Sequence, residues 1–429
     1  MDKKIESVKI VNCSILDINS GKWNNNLSII IKGGLIKKIG KENDIGEDNF
    51  NESSNKNRTL NARNSFVIPG MIDLHTHISF DGTPLSWSIN SLLKDKPGYR
   101  SVKATIEAGK YLNSGFTTIR ELGSLDYDDF NVKRAIEEGL VRGPRIFTSG
   151  KALSMTGGHG DLWVRSGSHY PSFGKIVDGV ENVRLATREL IKMGADWVKI
   201  LGTGGVASEG DLPDSSQFTL DELKSSIYEA HASGRKVAVH AHGSKGIKLA
   251  AEAGTDTIEH GSLLLEDEEL AKELSAKGIG FVPTLSVTDR VVSRGPGEGL
   301  PGWAIEKAEK NIEMHRESVK IARKEGVLIG LGTDAGYMVR HGESAYELEL
   351  LNRVGLSNLE CIKAGTLNAA RILGYEKSLG SIEEGKIADL VVLNFDPLEN
   401  IKFLQEEEKI LSVVKAGEII NGKDKLGEG

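Results

Sequence analysis

The chain has 429 residues, of which 39% are hydrophobic and 27% charged, enough for a sizeable core under an ordinary soluble surface. Its 54 basic against 61 acidic side chains leave a net charge of −7, which removes the electrostatic case for nucleic acid or an anionic membrane as a partner. No stretch approaches the roughly 18 apolar residues that span a bilayer, the N-terminus lacks the apolar run of a signal peptide, and two distant cysteines, Cys13 and Cys361, offer no disulfide framework, so a cytoplasmic protein is expected.

Along the chain, Val8 to Val11, Leu27 to Ile31 and Leu35 to Ile39 alternate as strands, with Gly33-Gly34 as a hairpin turn. Residues 41–64 are rich in Asn, Glu, Asp, Ser and Lys and are expected to form a mobile surface loop. From Phe66 to about Gly374 the pattern becomes strand, helix, strand, helix. Strands are expected to end near His77, Arg120, Ser149, Leu201, Ala241, His260, Thr284 and Thr333. Helical patterns run over Val102 to Asn113, Val180 to Met193, Leu220 to Ala232, Ile247 to Ala253 and Trp303 to Lys324. Two connections, Lys151 to Asp178 and Ser286 to Gly302, are long enough to shape a pocket or lid. Beyond the alternation, Asp389 to Leu393 and Ile410 to Val414 return to strand character, with turns at Gly385-Lys386 and across Gly417 to Gly422. Neither end holds enough strands to stand alone, so the termini are expected to pair.

The expected fold is therefore α/β: a (β/α)8 TIM-like barrel over residues 66–377 and a small composite β-sandwich from 1–65 together with 378–429. A doubly wound open sheet shows the same alternation, but it gathers a ligand at one switch point. Here polar residues follow at least five strands.

Those strand ends carry the chemistry. They are His75 and His77 in Ile72-Asp73-Leu74-His75-Thr76-His77, then Lys199, His240, His260 and Asp334. His75 and His77 are two apart and so share a side of an extended strand. Converging imidazoles, a lysine and a carboxylate suggest two divalent metals sharing a hydroxide, with zinc favoured by the mixed nitrogen and oxygen ligands. Lys199 is the member that conflicts, because an ammonium beside two dications is unfavourable. Carboxylation of its amine to N6-carboxylysine would turn it into an anion able to bridge them; a surface lysine that snorkels is the plain alternative. Asp334 suits a general base that takes the water proton and passes it to the leaving group, the plain alternative being a helix N-cap. His242 shares a face with His240, and His159 sits in the glycine-rich Thr156-Gly157-Gly158-His159-Gly160. Arg120, Arg290, Tyr337 and Arg340 lie on or after barrel strands, where each could grip a substrate carboxylate or be merely structural.

Pro69-Gly70-Met71-Ile72-Asp73-Leu74-His75-Thr76-His77, Asp196-Trp197-Val198-Lys199-Ile200, His240-Ala241-His242-Gly243, Ile258-Glu259-His260-Gly261, Gly332-Thr333-Asp334 and the His159 segment together resemble the amidohydrolase superfamily. More narrowly they look like its dipeptidase-type branch of Xaa-Pro dipeptidases and imidazolonepropionase-related enzymes, which includes enzymes that cleave the amide of ochratoxin. The resemblance implies that His75, His77, Lys199 and Asp334 hold one metal. Carboxylated Lys199 with His240 and His260 would hold the second, and His159 would contact the substrate carbonyl. It also implies a homo-oligomer. The expected function is hydrolysis of the amide bond of a dipeptide or N-acyl amino acid, with Asp334, His159 and His242 catalytic and His159, His242, Arg290 and Tyr337 on the substrate. A cyclic amide or imidazolone hydrolase is the enzymatic alternative, and a non-catalytic barrel scaffold the other.

Overall fold

The computed structural model describes residues 7–45, 57–84, 94–161, 172–206, 208 and 210–421. The N-terminal strands are β1 (Ser7–Asp17), β2 (Lys22–Lys32), β3 (Leu35–Gly40), β4 (Asn57–Asn61) and β5 (Phe66–Pro69). Gly33 and Gly34 take φ of 61° and 78°, the two positive values that a tight β2–β3 hairpin demands. β1 breaks its own alternation at Asn12, which sits at φ 61° where the pairing with β2 shifts register. The extra residue returns Cys13 and Ile15 to the face already buried by Val8 and Ile10. It also lets one strand serve two parallel neighbours, β4 along Ser7 to Val11 and β5 at Ser14 and Ile15.

The parallel strands follow: β6 (Met71–Thr76), β7 (Phe116–Glu121), β8 (Arg145–Phe147), β9 (Ala152–Ser154), β10 (Gly174–Ile176), β11 (Trp197–Leu201), β12 (Lys236–Ala241), β13 (Thr257–His260) and β14 (Gly280–Val282). They form a three-stranded sheet β6-β7-β8 and a six-stranded sheet β10-β9-β11-β12-β13-β14. β15 (Leu390–Leu393), β16 (Ile410–Lys415) and β17 (Glu418–Asn421) close the chain. Their pairing with the N-terminal strands runs through β15 antiparallel to β5, from Leu390 opposite Pro69 to Leu393 opposite Phe66. The terminal strands thus make one hydrogen-bonded path, β17-β16-β15-β5-β1-β2-β3 with β4 on β1, rather than two separate sheets. Residues from both ends, Ile10 and Ile29 with Leu390 and Val414 among them, share one buried cluster.

Several sequence expectations change. Within the polar stretch 41–64, Glu42–Ile45 is a short helix and Asn57–Asn61 is a strand; residues 46–56 lie outside the described residues. β4 has one buried anchor, Leu60, and its backbone pairing with β1 supplies what its side chains do not. Of the turn expected across Gly417 to Gly422, Gly417 turns together with Ala416, both at positive φ, Glu418–Asn421 pairs with β16, and residue 422 lies outside the described residues. The expected long loop from Ser286 is the helix Leu285–Glu298. Its start is capped from far away in sequence: Glu347 accepts from Leu285 N at 2.9 Å, Ser286 N at 2.7 Å and Ser286 Oγ at 2.6 Å. The other long connection, Lys151 to Asp178, contains β9 and β10, and its residues 162–171 lie outside the described residues.

The last expected barrel strand is a bridging segment, residues 328–335. Phe281 N donates to Leu328 O and Gly330 N to Phe281 O, both at 2.9 Å, on the β14 side. On the β6 side, Leu74 N donates to Leu331 O at 2.9 Å, Asp334 N to His75 O at 2.8 Å and His77 N to Ala335 O at 2.7 Å. The close approach needs glycine: a Cβ on Gly332 would lie 2.3 Å from Val282 and one on Gly330 2.5 Å from Leu74. Helices cover the strands by their apolar stripe, as in Val180–Met193, which buries Val183, Ala186, Thr187 and Leu190 at helical spacing. Among the described residues no helix is long and apolar enough to cross a membrane.

Buried His341 ties the segment after Asp334 to the framework. Its Nε2–H donates to Phe80 O at 2.7 Å while its Nδ1 accepts from Tyr111 Oη at 2.8 Å. Burial pulls its pKa down from 6.5 to about 4. The unfolded chain therefore takes up the proton first as pH falls, so the stability carried by the neutral ring is full above about pH 6.5 and is lost progressively towards pH 4. Urea-unfolding midpoints measured across that window should fall with pH, and His341→Gln should make the fall shallower.

Candidate functional site

The side chains after β6 face the bridging segment. His75 Nδ1 pairs with Glu259 Oε2 at 2.8 Å and His77 Nδ1 with Gly123 O at 2.9 Å. With these nitrogens engaged, each ring turns Nε2 to Asp334 Oδ1, at 3.6 Å from His75 and 3.0 Å from His77. Asp334 holds φ 60°, a left-handed backbone that costs energy for an aspartate and swings its carboxylate across the strand ends. Burial pushes this carboxyl up, but His75, His77 and Lys199 outweigh it and hold Asp334 well below the usual carboxylate range.

A second group forms at β12 and β13. His240, His242 and His260 offer ligand atoms that lie within 4.8 Å of one another, as do those of His75, His77 and Asp334. His242 Nδ1 bonds Ser262 Oγ and His260 Nδ1 bonds Thr284 Oγ1, both at 2.7 Å. His240 is turned the other way, its Nε2 lying 3.2 Å from Gly204 O. The rings pack at centroid distances of 4.4 Å for His240 with His260 and 4.9 Å for His242 with His260. Burial first, then neighbouring imidazoles and Lys199, hold all three well below their ordinary pKa; the neighbours are His159 and His242 for His240, His315 and His159 for His242, and His240 and His242 for His260. Neutral rings with converging lone pairs and an ionised carboxylate opposite are the donor set that a divalent metal requires.

Lys199 lies between the groups, 1% exposed, with Nζ 3.4 Å from His75 Nε2. Burial lowers its pKa to about 8, helped by Arg120 and opposed by Glu259 and Asp334. A snorkelling surface role is thereby removed.

These residues open on a cavity of about 360 Å³. His159, His242 and Tyr337 line it, and its apolar walls come from Leu122, Phe173, Leu201 and from Val206, Val291 and Trp303. Arg290, expected on the substrate, is not among the lining residues: its guanidinium lies over the Tyr346 ring at 3.7 Å, and 3.7 Å from Glu343. Arg340 pairs with Glu298 at 3.4 Å. Arg120 is wholly buried, donating to Leu74 O and Glu259 Oε1, each at 2.7 Å. Sequence reasoning gave no role to Glu259, although an acidic residue inside an apolar strand next to a histidine was a visible signal. It gave none to Ser208, Asp211 or Trp303, whose local sequence carries no such mark.

Parallel strands that deliver buried histidines, a lysine and an aspartate to one cavity define an enzyme of the hydrolase class with candidate sites for divalent metals. The Amidohydrolase family model matches residues 66–420, and the chain belongs to that family, in its dipeptidase-type branch. It is 33% identical to the ochratoxinase of Aspergillus niger over 432 residues, spanning 97% of this chain and 87% of that protein. The crystal structure of that ochratoxinase superposes with a TM-score of 0.84 at 30% identity, covering 98% and 97% of the two chains. A prolidase solved with N-methylphosphonate-L-proline gives 0.87 at 32% identity, over 97% of this chain and all 100% of that one. A Xaa-Pro dipeptidase with methionine in its active site gives 0.85 at 30%, with the same coverage.

Glu259 orients His75, so its neutral isostere should loosen that ring without emptying the strand. Glu259→Gln is expected to weaken retention of an added divalent metal by about tenfold to a hundredfold, the usual cost of losing a residue that orients a metal ligand. Competition against a chelator, read on wild type and variant, checks this; equal retention would remove Glu259 from any role at the metal.

Proposed function

We propose that the protein hydrolyses the amide bond of a dipeptide or N-acyl amino acid with two divalent metals, zinc favoured. The observation that carries this reading is the pair of ligand groups flanking buried Lys199 at the floor of one cavity. His75, His77 and Asp334 would hold one metal, His240 and His260 the other, and Lys199 as N6-carboxylysine would serve both. Bound metals supply Lewis acidity at the carbonyl and activation of water near neutral pH. The family relationship to an ochratoxinase, a prolidase and a Xaa-Pro dipeptidase supports the substrate class.

The chain's own groups would do the rest. An amine with pKa near 8 is unprotonated often enough at neutral pH to attack carbon dioxide, losing one proton as the N–C bond of the carbamate forms. Asp334 would take a proton from the attacking water as the new C–O bond forms. It would then return that proton to the leaving nitrogen as the C–N bond breaks. His159, His242 and Tyr337 would face the substrate, and the apolar walls would seat its side chains. We further infer a closed (β/α)8 barrel over 66–377 and a composite β domain from 1–65 with 378–429, the seam running through β5. Beyond the paired strands, Thr148 O accepts from Asp196 N at 2.8 Å and Trp197 N at 3.1 Å, which supports closure between β8 and β11.

Lys199→Ala should lose activity and metal together, because no other anion spans the two groups. Added short carboxylic acids should restore part of the rate; full activity without them would end the carbamate assignment. A free substrate carboxylate inside this cavity needs a partner, and leaving it unpaired would cost several kcal/mol. Amidating the carboxylate of a good substrate should lower kcat/KM by about tenfold to a hundredfold. Equal cleavage of the amidated form would favour a cyclic-amide substrate instead.

A further inference from the structure

His159 is held by a chain of hydrogen bonds whose direction can be read. Its Nδ1 lies 2.7 Å from Ser208 Oγ, and the Ser208 hydroxyl donates to Asp211 Oδ1. A hydroxyl has one proton to give. With that proton committed to a carboxylate, Ser208 Oγ accepts from His159, so the imidazole proton sits on Nδ1. Asp211 is fixed in turn, its Oδ2 accepting from Gln217 Nε2 at 3.0 Å and Gly205 N at 3.3 Å. Gln217 Oε1 closes the loop by accepting from the His159 backbone N–H at 3.0 Å. Lys307, on the helix Gly302–Lys324, donates to the carbonyls of Ser208 and Asp211 at 2.6 Å each and of Gly205 at 3.3 Å. Its Nζ stands 3.8 Å from Asp211 Oδ1. Gly205 must be glycine here, since a Cβ would lie 2.1 Å from His159 Cε1.

We propose that Ser208, Asp211 and Lys307 are positioning residues that lock His159 in its Nδ1-protonated tautomer. The neutral ring then offers the cavity an acceptor at Nε2, not the donor that a substrate carbonyl would need. This rests on the amide-hydrolase reading for its catalytic consequence, but the tautomer itself does not depend on any substrate.

Long-range proton–nitrogen spectra of zinc-loaded protein labelled with 15N-histidine test it directly. The signal lost in His159→Ala identifies the ring, and the expected pattern is a protonated Nδ1 with a bare Nε2. Asp211→Asn and Ser208→Ala should shift that ring towards the other tautomer, whereas Ser208→Thr should keep it. A wild-type ring protonated at Nε2, or an unchanged pattern in Asp211→Asn, overturns the proposal whatever the substrate proves to be. In turnover, Asp211→Asn should lower kcat by about tenfold or more with metal content unchanged. The same substitution should cost nothing further in a His159→Ala background; additive losses would mean that Asp211 acts elsewhere.

Discussion

The buried ion pair between Arg120 and Glu259 is the contact on which the site depends. Both side chains are 0% exposed and meet at 2.7 Å. Taking two charges out of water costs several kcal/mol per ion, and such a pair holds only if its remaining hydrogen-bonding capacity is met. It is met here. Glu259 also accepts from Thr257 Oγ1 at 2.5 Å and pairs with His75, while Arg120 donates to Leu74 O and lies over the Trp197 ring at 4.3 Å. The pair therefore ties β6, β7, β11 and β13 together just behind the histidines. Burial alone would push the Glu259 carboxyl up, yet Arg120, His75 and Lys199 bring it down to about 2. A fixed negative charge behind His75 orients that ring and partly offsets the Lys199 amine in front of it.

Strain is concentrated where this framework meets the cavity. Among the non-glycine residues at positive φ, His260, Thr284 and Asp334 stand at 70°, 54° and 60° at successive strand ends. Each such backbone costs on the order of 1–3 kcal/mol and persists because the surroundings over-determine it. Those surroundings are visible: Thr284 Oγ1 bonds His260, Glu347 caps the residues that follow Thr284, and His75 O receives Asp334 N. The floor of the cavity is thus held from several strands at once. Its apolar walls lower the local dielectric around the histidines, Lys199 and Asp334, which raises the electrostatic weight of each.

The same economy explains why the arginines behave differently from the histidines. Arg290 and Arg340 follow the strands in sequence and yet pair with Glu343 and Glu298 at the periphery. A long flexible side chain finds the carboxylate that its surroundings offer. A histidine two residues from another on a strand has far less freedom.

Much of the framework and of the candidate ligands was legible from sequence, because period-two and helical patterns, glycine pairs and strand-end histidines are local signals. Gly33-Gly34 needed no tertiary context to make a hairpin, and His75 with His77 needed only the pleat to share a face. What local pattern could not carry was decided by partners distant in the chain. β4 is a strand because β1 pairs with it, and Leu285–Glu298 starts as a helix because Glu347 caps it. His242 joins His240 and His260 because β12 and β13 lie side by side, and Arg120 leaves the substrate side because Glu259 takes it inward. Sequence alone determined which residue types stand at which strand ends. Only the folded chain, by removing water from charges and lone pairs that must then find each other, decided which of them meet.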